Sequence, residues 1–499
     1  MSQPSPAVGR AAPPGISNRV LWIVLAILIL FRTVLLFRVA PIGDEAYYWL
    51  WGQHPDLSYF DHPPLNAWLL GLVSQVFGWN LFSLRLIGWL STAGTLYLFH
   101  LWARRLAGTD WVRWFLIASI VYFASPLYAV FSGIMFPDHL LIVFSLWSLY
   151  AFAVFLDSRE TGAPRWGVLF VAAFALGLAA LSKYSAVFVA VAVVLHIVLA
   201  RRRWGLFKAW QLYAAALLTA AMLSPVLMWN VQNDFVSFRF HLVTRQGDFL
   251  ANFAPDRVLI FLVLFFAYLS PLLAWPIVRT VLAHEREDFA RTSRDLTRLV
   301  FFASTGSFAA MSVGSGALPY WNILAVAALV PHLVAFVGAR VQLMLHIGYG
   351  LIVVGLVFFI NFTVIPLATV TGGSDWESSV VHGWDEIAAE VSTAEAEFQP
   401  DFLAATRYTL AAQLAFQRGR DDVTALSSRV DQFDFWFDAA AHQGQTALIL
   451  ADTTQVIDAE TRARFESIEQ VRQFEVVRFG HEVNTYQLVL GRGFGEAAE

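Results

Sequence analysis

Residues 20–40 read VLWIVLAILILFRTVLLFRVA, and the chain continues with Gly43-Asp44-Glu45-Ala46-Tyr47-Tyr48-Trp49 and Tyr59-Phe60-Asp61-His62-Pro63-Pro64. The first piece is an apolar run of the length that crosses a bilayer as a helix. It is longer than the apolar core of a secretory signal and is interrupted by Arg32, so it predicts a retained anchor. The piece that follows is acidic, aromatic and proline-bearing, which suits a loop at a membrane surface rather than a continued span. Outward from it, apolar runs recur through the first three quarters of the chain. They predict about eleven spanning helices, near 20–40, 82–103, 111–132, 138–156, 165–182, 184–200, 208–229, 257–282, 298–315, 319–339 and 342–366.

Composition agrees. Of 499 residues, 58% are hydrophobic and 14% charged, against about 25% charged in a soluble protein. The chain has no cysteine, which excludes disulfides, thiolate metal sites and cysteine nucleophiles. Residues 1–369 hold 24 Lys+Arg and 15 Asp+Glu, whereas residues 370–499 hold 9 and 22. The two parts are therefore expected to face different surroundings. Three domains follow: a disordered cytoplasmic N-terminus (1–19), a transmembrane part (20–369, with 41–81 as its first external loop) and a small periplasmic α/β domain (370–499). No period of 20–50 residues points to a repeat protein.

Placing the N-terminus in the cytoplasm assigns Arg104, Arg105 and Arg113, Arg201, Arg202, Arg203 and Lys208, and Arg279, Arg286, Arg291, Arg294 and Arg298 to cytoplasmic connections. The opposite connections are poor in basic residues, as the positive-inside rule requires. The same assignment brings the Asp44 and Asp61 motifs, Pro137-Asp138, Ser182-Lys183-Tyr184 and Pro319-Tyr320-Trp321 to one face, the periplasmic face in a bacterium. Within the first loop, Glu45–Gln53 and Pro63–Phe77 are predicted to be helices lying in the interface plane, since the second is apolar at helical spacing but too short to span.

Each candidate has a structural alternative. Asp44, Asp61 and Asp138 each sit where a helix begins, and Asp is a good N-cap. Against this, Asp44 beside Glu45 concentrates negative charge near the membrane, where acidic groups are usually functional or paired. Lys183, one of two lysines in the chain, either snorkels to headgroups or holds a phosphate as a point charge.

The Asp44–Trp49 and Tyr59–Leu65 motifs resemble the first periplasmic loop of the GT-C-fold glycosyltransferases, the group that includes bacterial lipid A aminoarabinose transferases and protein O-mannosyltransferases. Ser132-Gly133 with Pro137-Asp138, Leu181–Tyr184, Trp229-Asn230 and Asp431–Trp436 add to the resemblance. Leu318–Asn322 departs from a His-Trp-Pro-type stretch of many relatives. The resemblance implies an inverting transferase in the bacterial inner membrane. Its donor would be a sugar on a polyprenyl phosphate, and its periplasmic acceptor a glycolipid such as lipid A or its core, a polysaccharide or a protein. No nucleotide-sugar or P-loop fingerprint is present, and no nucleic acid is expected as a partner.

By that resemblance Asp44 is the catalytic base, with Asp61 and Asp138 beside it. Lys183, His62, Arg239 and Arg245 are candidates for the donor phosphate, and Glu45, Tyr48, Tyr184 and Tyr320 for the rest of the cavity. A divalent metal ion is left open, with Asp61 and His62 as candidate ligands. The loop 230–256 is expected either to close over the lipid or to be a plain connection. Phe433, Phe435 and Trp436 beside Asp431 and Asp434 either stack on a sugar or form packing. The main alternative function is a transporter or lipid-linked glycan flippase, which would place ionisable residues at mid-membrane.

Overall fold

The computed structural model describes residues 16–246, 253–284, 288–337, 340–372 and 374–495. Most of the N-terminal segment, Arg286 and positions 247–252 of the 230–256 loop lie outside these. The chain forms two compact units. The first comprises residues 1–34, 62–65 and 87–354, and the second residues 35–61, 66–86 and 355–499. The first-loop helices thus pack with the C-terminal residues.

Helices occupy all eleven predicted segments, among them Asn18–Arg38, Leu81–Ala107, Asp138–Glu160 and Trp166–Ser182. Three segments expected as continuous helices are broken, each at a proline, which lacks the N–H that the helix needs and biases its predecessor out of the helical region. The 111–132 run divides into Trp111–Phe123 and Pro126–Phe131. The 208–229 run bends by 44° between Trp210–Met222 and Ser224–Gln232. The 257–282 run turns by 98° between Arg257–Leu269 and Pro271–Leu282, where Ser270 takes φ 123°. By length and composition, three helices among the described residues suit a membrane crossing: Asp138–Glu160, Phe289–Ser315 and Arg340–Phe362. The number rises to six if each bent pair is one span.

The core of the first unit is apolar on all sides. Every residue of Ile323–Leu333 is buried, as expected of a helix without a polar face. Arg32 is also buried, but its charge is not idle. Its Nε donates to the Ser132 carbonyl (2.6 Å) and its Nη2 to Thr92 Oγ1 (2.8 Å), and its guanidinium lies 4.8 Å from the Trp89 ring centroid.

The second unit contains a five-stranded mixed sheet. Its strands are β1 (Phe402–Ala405), β2 (Val423–Ala425), β3 (Ala447–Asp452), β4 (Phe465–Arg478) and β5 (His481–Phe494), in the order β2-β1-β3-β5-β4. β1 pairs in parallel with β2 and β3, with Leu403 opposite Val423 and Leu448. β3–β5 and β5–β4 are antiparallel. From sequence, strands are expected at Phe402–Thr406, Thr446–Ala451, Val471–Arg478 and Thr485–Leu490, which leaves out β2, whose three residues are too few to show a period. Helices are expected at Trp384–Val391 and Thr409–Gln417; the structure extends them to Trp384–Phe398 and Tyr408–Arg418.

Helix Gly43–Gln53 runs through the middle of this unit, with every residue but Asp44 and Gln53 buried. Two glycines make that possible. A Cβ on Gly43 would fall 2.6 Å from Thr409 Cβ, and one on Gly52 would fall 2.6 Å from the Gly71 nitrogen. The helix therefore sits at backbone distance from Leu65–Phe77 on one side and Tyr408–Arg418 on the other. Leu65–Phe77 turns Leu72, Val76 and Phe77 outward.

Candidate active site

In the second unit the two acidic neighbours in the first motif have different fates. Glu45 is fully buried and gripped by Arg85, whose Nε donates to Oε1 (2.9 Å) and Nη2 to Oε2 (2.7 Å). Arg85 also donates to the carbonyls of Val39 (2.9 Å) and Ala40 (3.3 Å). Glu45 further accepts from the Ile42 amide (3.3 Å). This buried pair fixes the chain leading into the helix, so Glu45 is an anchor rather than a cavity group. Asp44 is half-buried. It lies inside the helix, after the Ile42 N-cap, and its Oδ1 accepts from the Tyr408 hydroxyl (3.1 Å).

Asp61 is likewise no cap, since the next helix begins at Leu65. Its Oδ2 accepts from the Tyr47 hydroxyl (3.2 Å), and its Oδ1 lies 3.5 Å from an Arg429 nitrogen. Tyr47 in turn accepts from the Gln432 amide (2.6 Å). Gln432 Oε1 accepts from the Phe60 amide (2.7 Å). Tyr47 and Tyr408 pack ring to ring, 4.6 Å between centroids, and Arg429 covers Tyr408. Burial first, and then the nearby carboxylates, push both phenols above their ordinary range. They stay protonated and act as donors. Burial and Asp434 raise Asp431 to about 8. Tyr48 is buried against Trp51.

Metal binding by Asp61 and His62 does not fit this arrangement. Asp61 already faces an arginine and a phenol, and a divalent ion there would be met by the guanidinium's positive charge. Among the described residues no group of three or more His, Asp or Glu side chains is placed to hold a metal ion.

The first unit holds the basic cluster. Asp138 is the first residue of its helix but caps nothing. Both of its oxygens accept from Lys183 Nζ at 2.8 Å, and both residues are buried. Lys183 is extended at the end of Trp166–Ser182, which turns its side chain back toward Asp138 rather than out to headgroups. Burial, then the charges of Lys183, His241 and Arg245, hold His62 well below its ordinary pKa. The His62 and His241 rings are near parallel with centroids 6.3 Å apart. Tyr184 meets His241 (5.1 Å between centroids) and shares a hydrogen bond with Ser237 (3.0 Å). Arg245 stacks on Trp321, 4.0 Å to the centroid, and Tyr320 packs on Phe131. Arg239 is exposed, and no contact among the described residues brings it to this cluster. His241, Tyr47, Tyr408 and Arg429 were not singled out from sequence. Tyr47 lies inside the first motif, but the others come from distant stretches that carry no local signal.

This mostly helical chain with a small mixed sheet has its likenesses among membrane glycosyltransferases. Residues 61–229 match the sequence profile of the dolichyl-phosphate-mannose-protein mannosyltransferases. The chain is 29% identical over 199 residues to the lipid A galacturonosyltransferase RgtD of Rhizobium johnstonii, covering 39% of this chain and 40% of that protein. It is 27% identical over 251 residues to undecaprenyl phosphate-alpha-4-amino-4-deoxy-L-arabinose arabinosyl transferase 1 of Pseudomonas fluorescens, covering 47% and 42%. The matches thus span less than half the length of these curated relatives. The fold extends further. The crystal structure of ArnT from Cupriavidus metallidurans in the apo state superposes with a TM-score of 0.60 at 16% identity, over 95% of this chain and 98% of that one. The structure of the same protein bound to undecaprenyl phosphate gives the same values.

Proposed function

We propose that this chain is an inverting glycosyltransferase of the bacterial inner membrane, moving a hexose- or pentose-type sugar from a polyprenyl phosphate to a glycolipid of the lipid A class. The observation that carries the reading is the half-buried Asp44 carboxylate, oriented by Tyr408 while its neighbour Glu45 is wholly engaged by Arg85. A carboxylate that accepts a hydrogen bond in its charged form stays ionised, as a base for an acceptor hydroxyl must be. Relatives named for lipid A and for undecaprenyl-phosphate sugars support the donor and acceptor classes.

The leaving group is a phosphate, and positive charge placed on it lowers the barrier. The Asp138–Lys183 pair is neutral as a unit. With His62 held neutral by burial and by its basic neighbours, Arg245 and His241 give the cluster a net positive charge. That suits a donor phosphodiester, which carries one negative charge. Asp138 would hold Lys183 in place while its remaining N–H reaches the phosphate. Eleven spans with a cytoplasmic N-terminus are supported by the basic residues on one set of connections, and the outward apolar face of Leu65–Phe77 by the interfacial reading. The transporter alternative needs exchangeable deep charge, whereas Arg32 is hydrogen-bonded to fixed neutral partners.

The test is transfer from a radiolabelled polyprenyl-phosphate sugar to a lipid A-type acceptor, comparing wild type with Asp44→Asn at equal protein level. We expect transfer in wild type and a loss of about 10²–10⁴-fold in the variant. Equal transfer by both would remove Asp44 from catalysis, and none from wild type would sink the transferase reading.

A further inference from the structure

The second unit contains a cavity of about 200 Å³ that Asp44 and Asp61 do not line. Five separate stretches build it: His54 just after helix Gly43–Gln53, the start of β1, Asp421 and Asp422 with Thr424 of β2, the Phe433–Phe437 segment, and His442. Its walls are aromatic. His54 lies flat on Trp436, 4.3 Å between centroids and 22° from parallel. Phe433 meets Trp436 edge-on at 5.4 Å, and Phe437 sits 4.6 Å from His442.

The polar groups are few and differ in their needs. Asp421 lies 3.4 Å from His54 Nε2, and Asp422 lies 2.9 Å from Arg420 and 3.4 Å from Arg418. Asp422 therefore has countercharges nearby, whereas burial lowers the pKa of His54 and leaves it a neutral neighbour of Asp421; each carboxylate keeps lone pairs for further donors. Thr424 is 8% exposed, and its hydroxyl is buried without a hydrogen-bond partner, a state that a bound polar group would relieve. Apolar walls with a small number of placed polar groups are the usual make-up of a small-molecule site. The volume is below the range of about 300–1,000 Å³ for drug-sized ligands.

We propose that this cavity binds one uncharged pyranose ring of a glycan. The C–H face of the sugar packs on the aromatic walls, and its hydroxyls meet Asp421, Asp422 and Thr424. A cationic side chain is the poorer fit, because Asp422 already faces Arg420 and Arg418, which repel it. An anionic sugar is repelled by the carboxylates. The site goes beyond the transfer reaction and does not depend on it.

The experiment is saturation-transfer NMR on the full-length protein in detergent, with methyl β-galactopyranoside as the neutral probe. Galacturonate serves as the anionic probe and Nα-acetyl-lysine methylamide as the cationic one. The neutral glycoside should receive saturation through its ring protons and the other two should not. Thr424→Val, which keeps shape and removes the hydroxyl, should weaken binding about three- to tenfold, and Trp436→Ala should abolish it. Asp44→Asn should leave it intact, so an inactive transferase and a failed sugar site give different results. No transfer to the neutral probe at tens of millimolar, as an order of magnitude for single-sugar affinities of a few kcal/mol, overturns the proposal. So does a signal unchanged in Thr424→Val and Trp436→Ala, a signal lost in Asp44→Asn, or displacement of the glycoside by the lysine compound.

Discussion

In the first unit a carboxylate, Asp138, faces a lysine and both of its oxygens are taken by one ammonium. In the second unit Asp44 accepts from a phenol that stays protonated, Tyr408, and Asp61 stands between the two cases, with the Tyr47 phenol on one oxygen and Arg429 3.5 Å from the other. The contrast separates two uses of the same group. A carboxylate closed by a cation has its charge cancelled and serves to hold that cation. One oriented by a neutral donor keeps its charge, which is what proton abstraction requires. Glu45 is the extreme of the first kind, with its guanidinium partner and both residues out of solvent.

The largest effect that would break this contrast is on Asp44 itself, where the amide variant should lose about 10²–10⁴ of the transfer rate and leave the protein folded. Glu45→Gln should do the reverse. Breaking a buried ion pair by removing one partner costs about 3–5 kcal/mol, so the thermal midpoint should fall sharply while the protein that remains folded keeps most of its transfer rate. If Glu45→Gln kept wild-type stability but lost transfer, the division of labour between the two neighbours would be wrong.

Lys183→Ala comes next. Hydrogen bonds to charged groups are worth about 1.5–3 kcal/mol, so transfer at low donor concentration should drop about ten- to a hundredfold, with recovery as donor is raised. Asp138→Asn leaves the ammonium in place but loosely held and should show a smaller loss of the same kind. A Lys183 variant with unchanged donor dependence would return this pair to a purely structural role.

How much of this was readable beforehand follows from range. The spanning helices, the two helices of the first loop, and four of the five strands show themselves through local periodicity. The bends at Pro126, Pro225 and Pro271 were also written locally, but a long apolar run outweighed a single imino acid in the reading. Among the candidate residues, Asp44, Asp61, Asp138 and Lys183 stand out because charge is rare around them. Their partners do not: Tyr408 lies 364 residues along the chain from Asp44, Arg429 is as remote from Asp61, and only folding reveals them. Nothing local distinguishes Arg239, which remains at the surface, from Arg245, which stacks on Trp321.

The pH dependence of the second unit sharpens the comparison from another side. Asp431 is raised from 3.8 to about 8, chiefly by burial and by Asp434. The folded state therefore holds a proton that the unfolded chain has released across that window. This contribution to stability is present below about 3.8, declines as pH rises, and is gone above about 8. Asp431→Asn cannot titrate and should melt with a flatter profile, its midpoint gaining on wild type between pH 5 and pH 8.5. Parallel profiles would show that Asp431 titrates normally.

The smallest effect, and the most discriminating, is that of Tyr408→Phe. The substitution removes one hydroxyl and leaves a ring of the same size against Tyr47 and beneath Arg429, so packing should hold. A hydrogen bond to a charged group is worth about 1.5–3 kcal/mol, but most of it is lost from ground and transition state alike, so the transfer rate should fall by only about two- to tenfold. The direction of the pH shift matters more than the size. Losing a donor to the charged form raises the carboxylate's pKa, so the acid limb of the rate profile should move to higher pH in the variant. That limb should disappear in Asp44→Asn, whose residual activity has no carboxylate to titrate. A rate loss with an unmoved acid limb would mean that Tyr408 supports the loop without tuning Asp44, and the phenol-oriented carboxylate would then differ from Glu45 only in exposure.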